Sequence, residues 1–144
     1  MKSILVAVDL NDKEELVLKK AAEFANSFDS KLWIVHVAAP EPDFVGYEPG
    51  PQSVRDIRAA ELREKHRLIQ KYADELKKKG INAESLLIQG SIIESILKEV
   101  EKLKADLLII GHEDHDLLYK IINSDVSKKI INKSKTSVLV VPLS

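Results

Sequence analysis

The chain has 144 residues and a mass of 16.2 kDa, the length of one domain, and at that size roughly 68–70% of the unfolded surface is buried on folding. Hydrophobic residues make up 44% and charged residues 31%, and no apolar run approaches the ~20 residues needed to cross a bilayer, so no membrane partner is expected. Lys and Arg number 22 against 23 Asp and Glu, a net charge of −1, and there is no cysteine; this leaves no basic footprint for nucleic acid and excludes disulfides, thiolate metal sites and cysteine nucleophiles.

Met1-Lys2-Ser3 leads straight into an apolar run without a signal-peptide h-region, which predicts a cytoplasmic protein. That run, Ser3 to Val8, reads as a strand ending at Asp9. A helix follows in which Leu16, Val17, Ala21, Phe24, Ala25 and Phe28 recur at three to four residues, with Asn11 or Asp12 placed to cap it. A second strand is predicted over Leu32 to Ala38. The segment Ala39 to Ser53 then holds four of the five prolines and two of the five glycines. Two readings of it stand: a lid carrying Phe44, Val45 and Tyr47, or a connector. A long helix, Val54 to Lys79, turns Ile57, Leu68, Ile69, Tyr72, Ala73 and Leu76 inward and ends in Lys77-Lys78-Lys79-Gly80, cations followed by a C′ glycine. A third strand spans Ala83 to Ile88. The third helix, Ile92 to Leu103, buries Ile93, Ile96, Leu97 and Val100 behind Ser91 as N-cap with Glu94 at its third position. Asp106 to Ile110 is a fourth strand ending on Gly111, followed by the loop His112-Glu113-Asp114-His115-Asp116. Leu118, Ile122, Val126 and Ile130, four apart, mark a fourth helix, and Val138 to Val141 a fifth strand. Strands of this continuous apolar kind, alternating with helices, predict an α/β domain: a doubly wound parallel sheet with helices on both faces.

In such sheets ligands bind outside the carboxyl ends of strands, where Asp9 and Gly111 stand. Asp9 also has a structural reading, capping the turn into the first helix. The loop from His112 to Asp116 is rich in groups suited to divalent metals, but irregular spacing fixes no geometry and no second ligand pair lies nearby. It reads as a solvated acidic loop, and no metal site is assigned. His36 reads as a core or rim histidine, His66 as a surface one. There is no G-x-G-x-x-G after a strand, no P-loop and no G-x-S-x-G elbow, so no catalytic residue is assigned and no enzyme is expected. A phosphoacceptor receiver needs an Asp after its third strand, and here that strand runs into Gln89-Gly90-Ser91. Arg55, Arg58, Arg63, Lys65 and Arg67 alternate with Asp56, Glu61 and Glu64, a salt-bridged helix face instead of a nucleic-acid groove.

Ile4-Leu5-Val6-Ala7-Val8-Asp9, Leu32-Trp33-Ile34-Val35-His36-Val37, Gly111 and the run from Ile130 to Pro142 resemble a universal stress protein domain, over essentially all of residues 1–144. The resemblance implies a five-stranded sheet in the order 3-2-1-4-5 and an adenine and ribose pocket lined by Ala7, Asp9 and Val37. The nucleotide-binding branch carries Gly, two residues, Gly, nine residues, then Gly and Ser or Thr. Gly111 matches the first glycine, while Asp114, Ser124 and Asp125 stand at the other three positions. The chain therefore looks more like the A-type branch, whose members resemble dimeric stress proteins without tight ATP binding. A carboxylate at Asp125 about 4 Å from a phosphate repels it by roughly 4 kcal/mol at an effective dielectric near 20, about three decades of affinity. The expectation is a cytoplasmic, non-enzymatic homodimer that binds ATP weakly or not at all, without a resident cofactor. Its alternative is a sensor of ATP or AMP, with or without Mg, using Asp9, Val37 and Gly111. The last strand, Val138 to Val141, has no charge to deter pairing and is the expected two-fold dimer edge.

Overall fold

The computed structural model describes residues 1–10, 13–38, 52–112 and 126–143. Five strands form one sheet: β1 (Ser3–Ala7), β2 (Lys31–Ala38), β3 (Ala83–Gln89), β4 (Leu107–His112) and β5 (Ser137–Pro142). Their order is β3-β2-β1-β4-β5, with every pairing parallel. The helices are α1 (Glu14–Phe28), α2 (Gln52–Lys78), α3 (Ile92–Lys102) and α4, helical over 126–133. Parallel strands need crossovers that cover both faces, and side chains alternate across each strand. Ile4 and Val6 of β1 accordingly join the core formed with α1 and α2, whereas Leu5 joins the core formed with α3 and α4. All three are fully buried, which is why the central strand reads as continuously apolar.

Local chemistry explains the helix ends. At the end of α2 Gly80 adopts φ +87°, a left-handed conformation that lets its N–H donate to Lys77 O at 3.0 Å while Ile81 N–H donates to Leu76 O at 3.1 Å. That closes the carbonyls left open by the last turn. Ser91 occupies the N-cap of α3 in extended conformation, but its hydroxyl makes no capping bond. For α1, Asn11 and Asp12 lie outside the described residues; the N-cap position belongs to Lys13, which makes no side-chain cap.

Several expectations are corrected. Leu16 and Phe28 are half exposed and Ile57 more so. The buried stripe of α1 is Glu14, Val17, Leu18, Ala21 and Ala25, which puts Leu16 on its flank, and Phe28 instead stacks on Phe24 with ring centroids 6.2 Å apart. In α2 only Ile69, Ala73 and Leu76 are buried, so the buried stripe is confined to the C-terminal half of the helix and Ile57, in the N-terminal half, stays exposed. β4 does not end before Gly111 but runs to His112, because β5 continues alongside it: Gly111 pairs with Val141 and His112 with Pro142. β5 forms an edge of the sheet. Most of the segment from Ala39 to Ser53 lies outside the described residues, and its last residue is already helical.

Candidate crevice at the carboxyl ends of the strands

β1 and β4 are neighbours, and the chain leaves them in opposite directions, β1 toward α1 and β4 toward α4. Such a switch point opens a crevice between the two exits. Ala7, Asp9, Val37 and Gly111 all line it, joined by Glu14, Val17, Ser127 and Leu143 and by apolar side chains of α3 and α4. The cavity enclosed by the described residues is about 60 Å³, room for a few waters. Asp114, Ser124 and Asp125 lie outside the described residues.

The Asp9 side chain is exposed, and its backbone N–H donates to Glu14 Oε1 at 2.6 Å. After it the chain turns through Leu10 at φ 59°, a conformation that costs a non-glycine residue roughly 1 kcal/mol or more and that clusters at functional sites. Glu14 itself is only 2% exposed. Sequence reasoning missed this carboxylate, although the signal was present: Glu14 lies three residues before Val17 and four before Leu18, on the phase of the buried stripe.

Gly111 is occupied on its open side. A Cβ built there would lie 2.8 Å from Leu143 Cδ1 and 2.9 Å from Val17 Cγ2, so two apolar side chains fill the space next to the bare α-carbon. Leu143 is held in place because its N–H donates to His112 O at 2.8 Å. Across the crevice, Ser127 is buried and its Oγ lies 3.5 Å from His112 Nδ1, a long contact.

Behind the crevice, His36 is buried with Nδ1 2.7 Å from Val8 O. Burial holds its imidazole below the usual range, opposed by the bond to Val8 O. Among the described residues its Nε2 has no hydrogen-bond partner, so there the core histidine is paired through Nδ1 alone. His66 is exposed. Among the described residues no cluster of three His, Asp or Glu side chains stands ready to hold a metal ion, and none of their helices is long and apolar enough to cross a membrane. On α2, Arg67 pairs with Glu64 at 2.6 Å and Arg58 with Glu61 at 3.8 Å, the intrahelical pairing expected of that face.

A family model described as the universal stress protein family matches residues 1–142. A universal stress protein A homolog from Haemophilus influenzae is 31% identical over 144 residues, covering 99% of this chain and 96% of that one. Among solved structures, universal stress protein UspA from Lactobacillus plantarum superimposes with a TM-score of 0.81 at 15% identity, over 97% of both chains. A universal stress protein from Archaeoglobus fulgidus in complex with dAMP superimposes with a TM-score of 0.63 at 20% identity, again over 97% of both. Identities this low for the two structures speak for the fold alone.

Proposed function

We propose, from the premise that this chain belongs to the universal stress protein family, that it acts as a cytoplasmic, non-enzymatic stress-response module which pairs as a homodimer and binds ATP weakly or not at all. The observation that carries the ATP reading is the state of Gly111. In a phosphate site a glycine leaves room for an anion to approach backbone N–H groups, but here Leu143 and Val17 take that room. The changed motif positions Asp114, Ser124 and Asp125 act in the same direction. Metal-free ATP should bind at or above a millimolar Kd, about −4 kcal/mol or weaker, by calorimetry. A low-micromolar Kd refutes the reading.

The dimer rests on β5. It is an edge strand whose residues Val138, Leu139 and Val140 are only half buried, and an apolar edge without charges invites pairing. Isologous pairing with a second copy would satisfy its outward N–H and C=O groups. Sedimentation at tens of micromolar should find a dimer that Val140→Pro weakens; a monomeric wild type, or a variant dimerising with unchanged affinity, refutes it.

A second reading, a nucleotide sensor, is favoured by the meeting of Ala7, Asp9, Val37 and Gly111 at one crevice and by the dAMP bound to the structural relative. Its apolar walls suit a purine ring. AMP or Mg-bridged ATP binding with micromolar affinity would establish it over the first.

A further inference from the structure

A second cavity, of about 370 Å³, opens between α1 and the C-terminal end of α2, and its described lining shares no residue with that of the strand-end crevice. Its volume falls within the range of about 300–1,000 Å³ found for small-molecule sites. The floor is apolar: Leu18 and Leu76 are buried, and Ala22 and Tyr72 pack half-buried against the same core. The rim is charged, with Glu15 and Lys19 from α1 and Glu75 and Lys79 from the end of α2, all four exposed. Each helix thus carries an acid followed four residues later by a lysine, a spacing at which side chains of an isolated helix pair with one another. Here none of the four makes a side-chain ion pair or hydrogen bond among the described residues.

Topology sets the direction of this pattern. Both crossovers return from the carboxyl to the amino end of a parallel sheet, so α1 and α2 run the same way. On both, the step from acid to lysine leads toward the amino end of the sheet, over a rise of about 6 Å. Tyr72 lies with the acids: burial first, and then the carboxylates of Glu14, Glu15 and Glu75, push its hydroxyl above the usual phenol range. The groove is therefore polarised, with carboxylates and an aromatic ring toward one end and ammonium groups toward the other.

We propose that this groove binds an ω-amino acid, a zwitterion whose ammonium and carboxylate stand at opposite ends of an unbranched aliphatic chain. The ammonium lies between Glu15 and Glu75 beside the Tyr72 ring, where carboxylates and an aromatic face both favour a cation. The methylenes cover Leu18, Ala22 and Leu76, and the carboxylate meets Lys19 and Lys79. A ligand with a single charge leaves half of the rim unmatched. The site is independent of whether the strand-end crevice takes a nucleotide.

Titration of the full chain with 6-aminohexanoate, followed by amide NMR, tests it; hexylamine and hexanoate serve as analogues that keep the chain and lose one charge. Perturbed amides should cluster on α1 and the end of α2, with a Kd of about a millimolar. Each single-charge analogue should bind at least about fivefold more weakly, roughly 1 kcal/mol, the upper end for a solvent-exposed charge pair. Two double variants remove the rim charges by kind, Glu15→Gln with Glu75→Gln and Lys19→Gln with Lys79→Gln. Each should weaken 6-aminohexanoate at least about threefold, the acid variant without weakening hexanoate and the lysine variant without weakening hexylamine. All four positions are exposed, and if a variant loses its cooperative urea transition the analogue series on wild type decides alone. The proposal is overturned by unperturbed α1 and α2 amides at about 20 mM ligand, by a single-charge analogue matching the zwitterion within about fivefold, or by a folded variant binding it within about threefold of wild type.

Discussion

Replacing Gly111 with alanine isolates the packing that surrounds it. The new Cβ would meet Leu143 Cδ1 at 2.8 Å, Val17 Cγ2 at 2.9 Å and Leu143 Cγ at 3.3 Å, all inside van der Waals contact. Gly111 is not at positive φ, so backbone strain does not enter. Two effects then oppose each other. Gly→Ala at a compatible backbone restricts the unfolded chain and stabilises by about 0.4–1 kcal/mol. Overpacking costs about 1–3 kcal/mol. Which wins depends on whether the neighbours can yield. Leu143 is only half buried and its methyl end can rotate away, whereas Val17 is 2% exposed and, as a β-branched residue in a helix, has one strongly preferred rotamer. The cost therefore resides at Val17, and the net expectation is a loss of about 1–2 kcal/mol. In urea, with a slope of about 2 kcal/mol/M, the midpoint falls by roughly 0.5–1 M at unchanged slope. Double-mutant cycles locate the cause: coupling of Gly111→Ala with Val17→Ala should exceed its coupling with Leu143→Ala, by at least about 0.5 kcal/mol. A neutral or stabilised Gly111→Ala, or equal couplings, refutes the account.

Ile69 is fully buried between α2 and the sheet, so Ile69→Ala should lose about 2–5 kcal/mol in the same urea assay. His36 gives a pH dependence. Its folded pKa lies below the free value, through burial first, so the unfolded chain takes up the proton before the folded one; the contribution is complete above the free imidazole pKa near ~6.5 and is lost as pH falls from there through the lowered value. Urea stability of wild type should decline over that window relative to His36→Asn, and parallel pH profiles for the two proteins would contradict it. Lys31 Nζ meets Glu84 Oε1 at 2.8 Å and lies 4.4 Å from the centroid of Trp33, but the pair is partly solvated, so Glu84→Ala should cost no more than about 1 kcal/mol and lose even that in high salt.

Much of this molecule is legible before folding is considered. Ile4-Leu5-Val6 and Leu107-Leu108-Ile109-Ile110 are apolar without interruption because a strand covered on both faces has no solvent side, and the alternation with helices leaves a doubly wound sheet as the economical solution. The end of α2 is written in Gly80, since the required left-handed backbone suits glycine best. Asp9 and Gly111 are identifiable because residues at the carboxyl ends of strands converge wherever such a sheet reverses its winding, whereas Ala7 and Val37 are pointed to only by the family resemblance. Tertiary structure alone decided the rest. Periodicity fixes which residues share a helix face but not how far the sheet extends beneath it, so Ile57 was expected inside and lies outside. The extension of β4 through Gly111 depends on β5, a partner some thirty residues away in sequence. Glu14 is in phase with the buried stripe, yet only packing against the crevice shows that a carboxylate there stays buried with the Asp9 N–H as partner. Above all, no local pattern reports that Leu143 fills the open side of Gly111. Local preferences act over a few residues, whereas the shape of a cavity is set by side chains that meet only once the whole sheet has closed.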